Sequence, residues 1–490
     1  MTPIRAFALA ASLIPGGALG VAVATALAVA VAAPAQADTF RATADPTDSD
    51  RTPLGPGFGR SDGRDLLGFG EGELKLPPVG LGMGGAFVDP EGDGQEGYAT
   101  LRMGAEFKVW RLAVGLNFYL RVDDDFALRE EDWDETSDIP RFIEYVEFGS
   151  KRDILHARVG RLHNAYLRHG TLLGRFESDI DYDSPKVGAV LDLNLGWFGV
   201  ETLTDNIFGF DVSGVAAYVK PLHWTEWPFV KDMAVGATAV ADRDAPRMLD
   251  FREDGTVEVD RDGNLEYEGE PVYAVGLDVE VPLLENWLFR LTPYADFNYI
   301  VDYGTGEHLG AEFVFNLDII IPVEISARAE YRFLQAQYLP VYFDTFYEID
   351  RYRYPDLDSP TTKLQALEDA DENHGVFGEA RVRIPKWAAA YVAYEVYEDE
   401  ELSQFAAGVE VTGFDFIKAR VRYVKRAISQ GDDLLDFDDH TFLKAELLLR
   451  IYDFIYLSFD YTRTWRVDRD TGEYEPVDSY EPGVVFVVSF

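Results

Sequence analysis

Residues 480–490 read YEPGVVFVVSF. Counted back from the end, Phe490, Val488, Phe486 and Val484 share one face of an extended strand. Ser489, Val487, Val485 and Gly483 share the other. In an open sheet such a strand would offer an unpaired apolar edge to any other chain. No edge remains if the last strand pairs with the first. A buried terminal strand of a soluble sheet would read the same way, so the rest of the chain has to decide.

Working outward, the same alternation recurs. Ile325, Ala327, Ala329, Tyr331 and Phe333 interleave with Ser326, Arg328, Glu330 and Arg332. Leu101, Met103, Ala105, Phe107 and Val109 interleave with Arg102, Gly104, Glu106 and Lys108. Segments of this kind, separated by turns, predict about twenty strands from 70–88 to 479–490, and 18 to 22 fit the pattern. The links between them sort by parity. Short ones, such as 109–112, 195–198, 384–387 and 450–453, alternate with long ones at 123–140, 162–185, 242–269, 336–373, 429–439 and 467–478. A β-sandwich or propeller has no reason to sort its loops in this way.

Composition removes other classes. The chain has 490 residues, no Cys and a formal charge of −43. Disulfides, thiolate metal sites and a Cys nucleophile are therefore excluded. Past the N-terminus no apolar run reaches 18 residues, which argues against membrane helices but not against membrane strands. Arg5 precedes an apolar run over 6–33, and Ala35-Gln36-Ala37 before Asp38 fits a small-x-small cleavage site. Residues 1–37 are expected to be a secretory signal peptide, 38–65 an unpaired N-terminal segment, and 66–490 the strand-rich body.

The terminal Phe, with apolar residues at alternate positions before it, resembles the C-terminal signal of Gram-negative outer-membrane β-barrels. The parity of short turns and long loops resembles that class too. The resemblance implies an all-β fold: a single large antiparallel transmembrane β-barrel of about 20 strands in the outer membrane. It also implies that Phe486, Val488 and Phe490 are read by the barrel-assembly machinery, and that membrane lipid and lipopolysaccharide are partners. Whether the barrel is a homo-oligomer is left open.

Charge follows the barrel frame. Loop 123–138 has nine acids and one base, Arg129. The inward faces carry Arg328, Arg332, Arg381, Arg383, Lys418, Arg420 and Arg422, since charges facing lipid near the midplane would cost about 2–4 kcal/mol each. These residues are the pore-lining candidates and predict a basic patch on one wall. Loop 162–185 is basic in its first half (Arg168, Arg175), acidic in its second (Glu177, Asp179, Asp181, Asp183), and unusually apolar at Leu167, Leu172, Leu173 and Phe176. Porins fold one long loop into the lumen, and this loop is the constriction candidate; an external hairpin cap fits it equally. Loops 242–269 and 336–373 are expected outside.

No phosphate loop, His-Glu-x-x-His or Gly-x-Ser-x-Gly motif occurs, and no basic tract suited to nucleic acid. Catalytic residues, cofactors and metal ligands are not expected, and the chain reads as a non-enzyme. The function expected is a porin-like channel for passive diffusion of small hydrophilic solutes or ions. A structural or adhesion barrel with a blocked lumen is the alternative, and an outer-membrane hydrolase a minor one.

Overall fold

The computed structural model describes residues 79–488, apart from the segments 91–95, 124–125, 130–141, 150–152, 183–184, 228–229, 261–264, 319–321, 355–360, 386, 415, 429–433, 435–436, 439 and 469–473. The expected signal peptide, the 38–65 segment and Phe490 lie outside these residues.

Twenty long strands, plus the two-residue strand Leu284–Glu285, form one antiparallel sheet. Each strand pairs with the next, and the sheet closes where Val79–Pro90 pairs with Tyr474–Val488. At this seam Val79 faces Val488, Leu81 faces Phe486 and Met83 faces Val484. The terminal stretch therefore has no free edge, and Phe486 and Val484 lie beside the exposed Leu81 and Met83 on the outer face.

The alternation becomes an inside and an outside. In strand Tyr267–Glu280, the residues Val272, Ala274, Gly276 and Asp278 are buried toward the lumen, whereas Tyr273, Val275, Leu277 and Val279 are exposed. The outward sets of other strands carry Met103, Phe107, Leu191, Phe297, Leu309, Tyr331, Phe333, Val376 and Phe459, all exposed. A continuous apolar outer surface of this extent is incompatible with water and matches the hydrocarbon of a bilayer.

The sequence reading missed how the ends of this band are marked. Six of the eight tryptophans (Trp110, Trp197, Trp224, Trp227, Trp287 and Trp387) sit in the short links. Phe416, Tyr452 and Phe454 join them, all exposed. Amphipathic rings favour the membrane–water interface, so this girdle marks the short-turn boundary.

Two features depart from expectation. Strands Ala234–Leu249 and Tyr267–Glu280 run on past the predicted ends as a paired extension with register shifts, so the 242–269 loop shrinks to 250–266, beyond the strand ends. The chain alternates poorly there (Arg243, Asp244, Pro246) because neither face of this extension meets lipid. Second, loop 336–373 does not lie outside: most of it packs within the barrel, as described below. The wall is also uneven. Strands Ile143–Phe148 and Leu155–Gly160 have 6 residues and Gly188–Asn194 and Phe198–Thr204 have 7, against 10 to 16 for the strands from Ala234 onward, Leu284–Glu285 excepted. Loop 161–187 leaves from this low sector and turns inward.

Leu277 is 63% exposed on the outer face. Leu277→Arg is expected to destabilise the folded barrel by about 2–4 kcal/mol, read from urea unfolding in lipid vesicles. A loss below about 0.5 kcal/mol would contradict the assignment of this face to lipid.

Candidate functional site, the loop-filled lumen

Loop 161–187 and loop 335–372 meet inside the barrel. The first buries Leu162, Leu167, Leu172, Leu173 and Phe176, and the second Tyr338, Leu339, Tyr342, Phe343, Tyr347 and Leu364, in a common apolar cluster. They also pair through their backbones. Leu173 and Phe343 form a parallel bridge, the Gly174 N–H donates to the Phe343 carbonyl (3.1 Å), and the Phe343 N–H donates to the Leu172 carbonyl (3.1 Å). Each loop thus gives the other the partners its buried peptide groups need.

The wall is cut to receive the first loop. A Cβ on Gly214 would stand 2.4 Å from Leu167 Cδ1, and one on Gly188 would stand 2.7 Å from Leu162. These glycines make room for leucines that no exposed loop would need to seat. The backbone is held under strain as well. Asn164, Arg168 and Arg175 in one loop, and Gln337 and Val341 in the other, have φ between 48° and 61°. For the β-branched Val341 this costs about 1–3 kcal/mol, which the surrounding packing has to offset.

Charge fixes the loops to the wall. Arg168 donates to Asp278 (2.5 Å), and His169 lies between Asp296 (2.8 Å) and Glu280 (3.2 Å). Thr171 donates to the other oxygen of Asp296 (2.9 Å). Arg175 pairs with Glu395 and donates to Gln404 (2.8 Å). Glu177 pairs with Arg422, and Asp179 with Lys444 (2.9 Å) and His163 (3.1 Å). Tyr474 donates to Asp181 (3.0 Å), and the Tyr182 N–H donates to the Trp465 carbonyl (2.8 Å). The loop therefore crosses from the low sector to strands on the far wall. In loop 335–372, Arg351 pairs with Asp242 (3.2 Å), Asp350 with Arg426, and the Tyr347 hydroxyl donates to Asp242 (2.7 Å).

Burial opposes the charge on His169, but Asp296 and Glu280 prevail and push its pKa up to about 10. Burial likewise opposes ionisation of Asp179, and His163, Lys444 and Arg422 outweigh it, holding the carboxyl well below its ordinary range.

The pore-lining candidates fall into two groups. Arg328 (with Glu330, 2.7 Å), Arg332 (with Glu330, 2.8 Å, and Glu395, 2.5 Å), Arg420 (with Glu446, 3.3 Å, and Glu410, 3.4 Å) and Arg422 are buried and committed to carboxylates. Lys418 is buried too. In the basic patch expected of these residues, these four arginines are met by carboxylates, as a guanidinium in a dry wall requires, and both wall and loop supply them. Arg381 and Arg383 are half-buried and have no carboxylate in ion-pair contact among the described residues. Asp183 lies outside the described residues. The strand alternation already places Glu280, Asp296 and Glu330 on the inward faces beside the arginines; sequence reasoning missed Glu395, which is buried against the loop. It also missed loop 335–372 as an inward element, although its run of aromatics was a usable signal.

Two trios of possible ligand atoms converge within 4.8 Å, His163 with Glu177 and Asp179, and His169 with Asp278 and Asp296. Arg422 and Lys444 already answer the carboxylates of the first; in the second, Arg168 answers Asp278, and His169 and Thr171 answer Asp296. A metal ion would meet these cations at close range, so both trios act as ion-pair nodes.

No family model matches the chain, and no curated protein matches it. Among solved structures it is similar to the Pseudomonas aeruginosa protein OccK11 (OpdR), with 10% identity, 84% of this chain and 96% of that one covered, and a TM-score of 0.32. It is similar to Pseudomonas aeruginosa OccK2 (OpdF) solved with glucuronate, at 10% identity, 85% and 100% coverage and a TM-score of 0.31. It is also similar to the ferric enterobactin receptor PfeA, at 9% identity, 85% and 82% coverage and a TM-score of 0.34. At these scores the likeness adds nothing to the architecture, which rests on this chain's own strand pairing.

Because the pKa of His169 is raised in the folded state, its contribution to holding the loop is fully present below pH about 6.5 and is lost as pH rises through about 10. In nitrogen NMR of the refolded barrel, both His169 ring nitrogens should stay protonated at pH 8. A neutral ring at that pH would contradict the anchoring described.

Proposed function

We propose that the protein is an outer-membrane channel, a porin-like barrel for passive diffusion of small hydrophilic solutes or ions. The observation that carries this reading is the lumen wall, polar and charged along its height. Arg102 and Asp460 lie inside, each still partly solvated, as do the half-buried Arg381 and Arg383. An interior of this kind requires water, since an isolated dry charge would cost several kcal/mol. The apolar outer belt and the aromatic girdle support the membrane placement, with lipid as partner. The outer leaflet's lipopolysaccharide and the barrel-assembly machinery belong to the same reading.

The conducting path runs past the two inward loops, which set its narrowest part. With four arginines committed to carboxylates, ion preference falls mainly to Arg381 and Arg383. At physiological salt, fields from the acidic outer loops fade over about 8 Å. A weak anion preference follows. One observation favours the blocked-lumen alternative: the loops bury apolar clusters against one another and the wall.

Planar-bilayer recordings of the refolded protein separate the two readings. The channel reading expects conductance with weak anion preference, reversed in the double variant Arg381→Glu/Arg383→Glu. Firm cation preference unmoved by that variant would remove these residues from the path. No conductance at any pH would favour the blocked barrel.

A further inference from the structure

Where loop 335–372 meets the wall, the short helix α1 (Tyr347–Asp350) brings Glu348 into a group with too much negative charge. Lys186 contacts Glu348 (2.6 Å), Asp205 (2.9 Å) and Asp211 (3.3 Å). Arg351 contacts Asp242 (3.2 Å) and Glu348 (3.8 Å). Two cations thus face four carboxylates, and Asp205, Asp242 and Glu348 are all buried. Tyr347 and Tyr352 from the same segment and Tyr474 from the last strand complete the surroundings.

Satisfaction of the oxygens picks out one carboxyl. Asp205 accepts from the Val212 N–H (3.0 Å) on one oxygen and from Lys186 on the other. Asp242 accepts from the Asp244 N–H (2.9 Å) and from the Tyr347 hydroxyl (2.7 Å). Asp211 is partly solvated. Glu348 uses Oε2 for both cations, while its buried Oε1 has no hydrogen-bond partner. A bare carboxylate oxygen in a dry site is costly, so Glu348 is the group on which a proton relieves the imbalance.

We propose that loop 335–372 is an acid-locked plug: protonated Glu348 lets it seat in the lumen, and loss of that proton drives it toward release. This extends the channel reading to its regulation. Burial, helped by neighbouring Asp205 and opposed by Lys186, pushes the Glu348 pKa up to about 7. In a released, hydrated loop it returns to the ordinary value of roughly 4.5. The seated loop therefore binds more protons between these values. Its advantage is complete below the lower pKa and lost as pH rises through the upper one, by up to ~300-fold at a factor of ten per unit. Lys186 is held charged to well above its ordinary range, His169 changes only near 10, and Asp179 ionises at much lower pH. Asp350, raised by burial and by Asp344 against the opposing Arg426 and Lys363, acts in the same sense as Glu348.

The chain has no cysteine, so a single one can report on the plug. Thr345 is 1% exposed within the loop, and Thr345→Cys is close in shape. Maleimide labelling of this thiol in the refolded barrel is measured from pH 5 to pH 8 and divided by the rate for Asp254→Cys, on the exposed 250–266 loop. The ratio should rise steeply between pH 5 and 7 and then level off. With Glu348→Gln, a permanent stand-in for the protonated group, it should stay low and flat. A flat ratio without that change, a high ratio throughout, or an equal rise with Glu348→Gln would each overturn the proposal. The pH profile of Thr345→Cys alone decides if the glutamine variant fails to fold. Labelling needs no conduction, so its failure is distinct from failure of the channel reading.

Discussion

A barrel of about twenty strands is too wide for its own side chains to fill, so water or other parts of the chain must occupy its interior. Here the wall carries arginines and carboxylates that cannot be left dry and unpaired. The inward loops satisfy both conditions. They bring leucines and aromatics to fill the space, and counter-charges to meet Asp278, Asp296, Glu395, Arg422 and Lys444. The rest of the lumen follows from that pairing. Glycines in the wall mark where the loop presses closest, and left-handed residues mark where its backbone is bent to fit.

The barrel itself was legible because membrane strands obey a strict rule. Every second residue meets lipid, so Tyr273, Val275, Leu277 and Val279 reveal the strand without any tertiary information. The rule fails where its cause is absent. Past Asp242 the paired extension is no longer bathed in hydrocarbon, its apolar face disappears, and the sequence reads as loop. Closure was legible from the alternation in 480–488, and the pairing of Leu81 with Phe486 accounts for it.

The interior was legible only in part. Leu167, Leu172, Leu173 and Phe176 set loop 162–185 apart, because a solvated loop gains nothing from such residues. Tyr338, Tyr342, Phe343, Phe346 and Tyr347 carry the same message for loop 335–372, diluted by the acids around them. Which wall charge meets which loop charge was not legible. Partners such as Arg175 and Glu395 are 220 residues apart, and only the closed barrel brings them together. The arginines stood out as an inward row with Glu330 among them, but which carboxylate meets which arginine depends on the closed barrel.

The central claim is that the two loops form one packed unit inside the barrel, and amide hydrogen exchange in lipid vesicles tests it most directly. The N–H groups of Gly174, Val341 and Phe343 are bonded across the two loops. At pH below about 5 they should exchange as slowly as amides of the barrel strands, such as those of Val275 and Leu277. Exchange at the rate of an open, solvated loop under those conditions would mean that the loops do not pack in the lumen, and the account would fail.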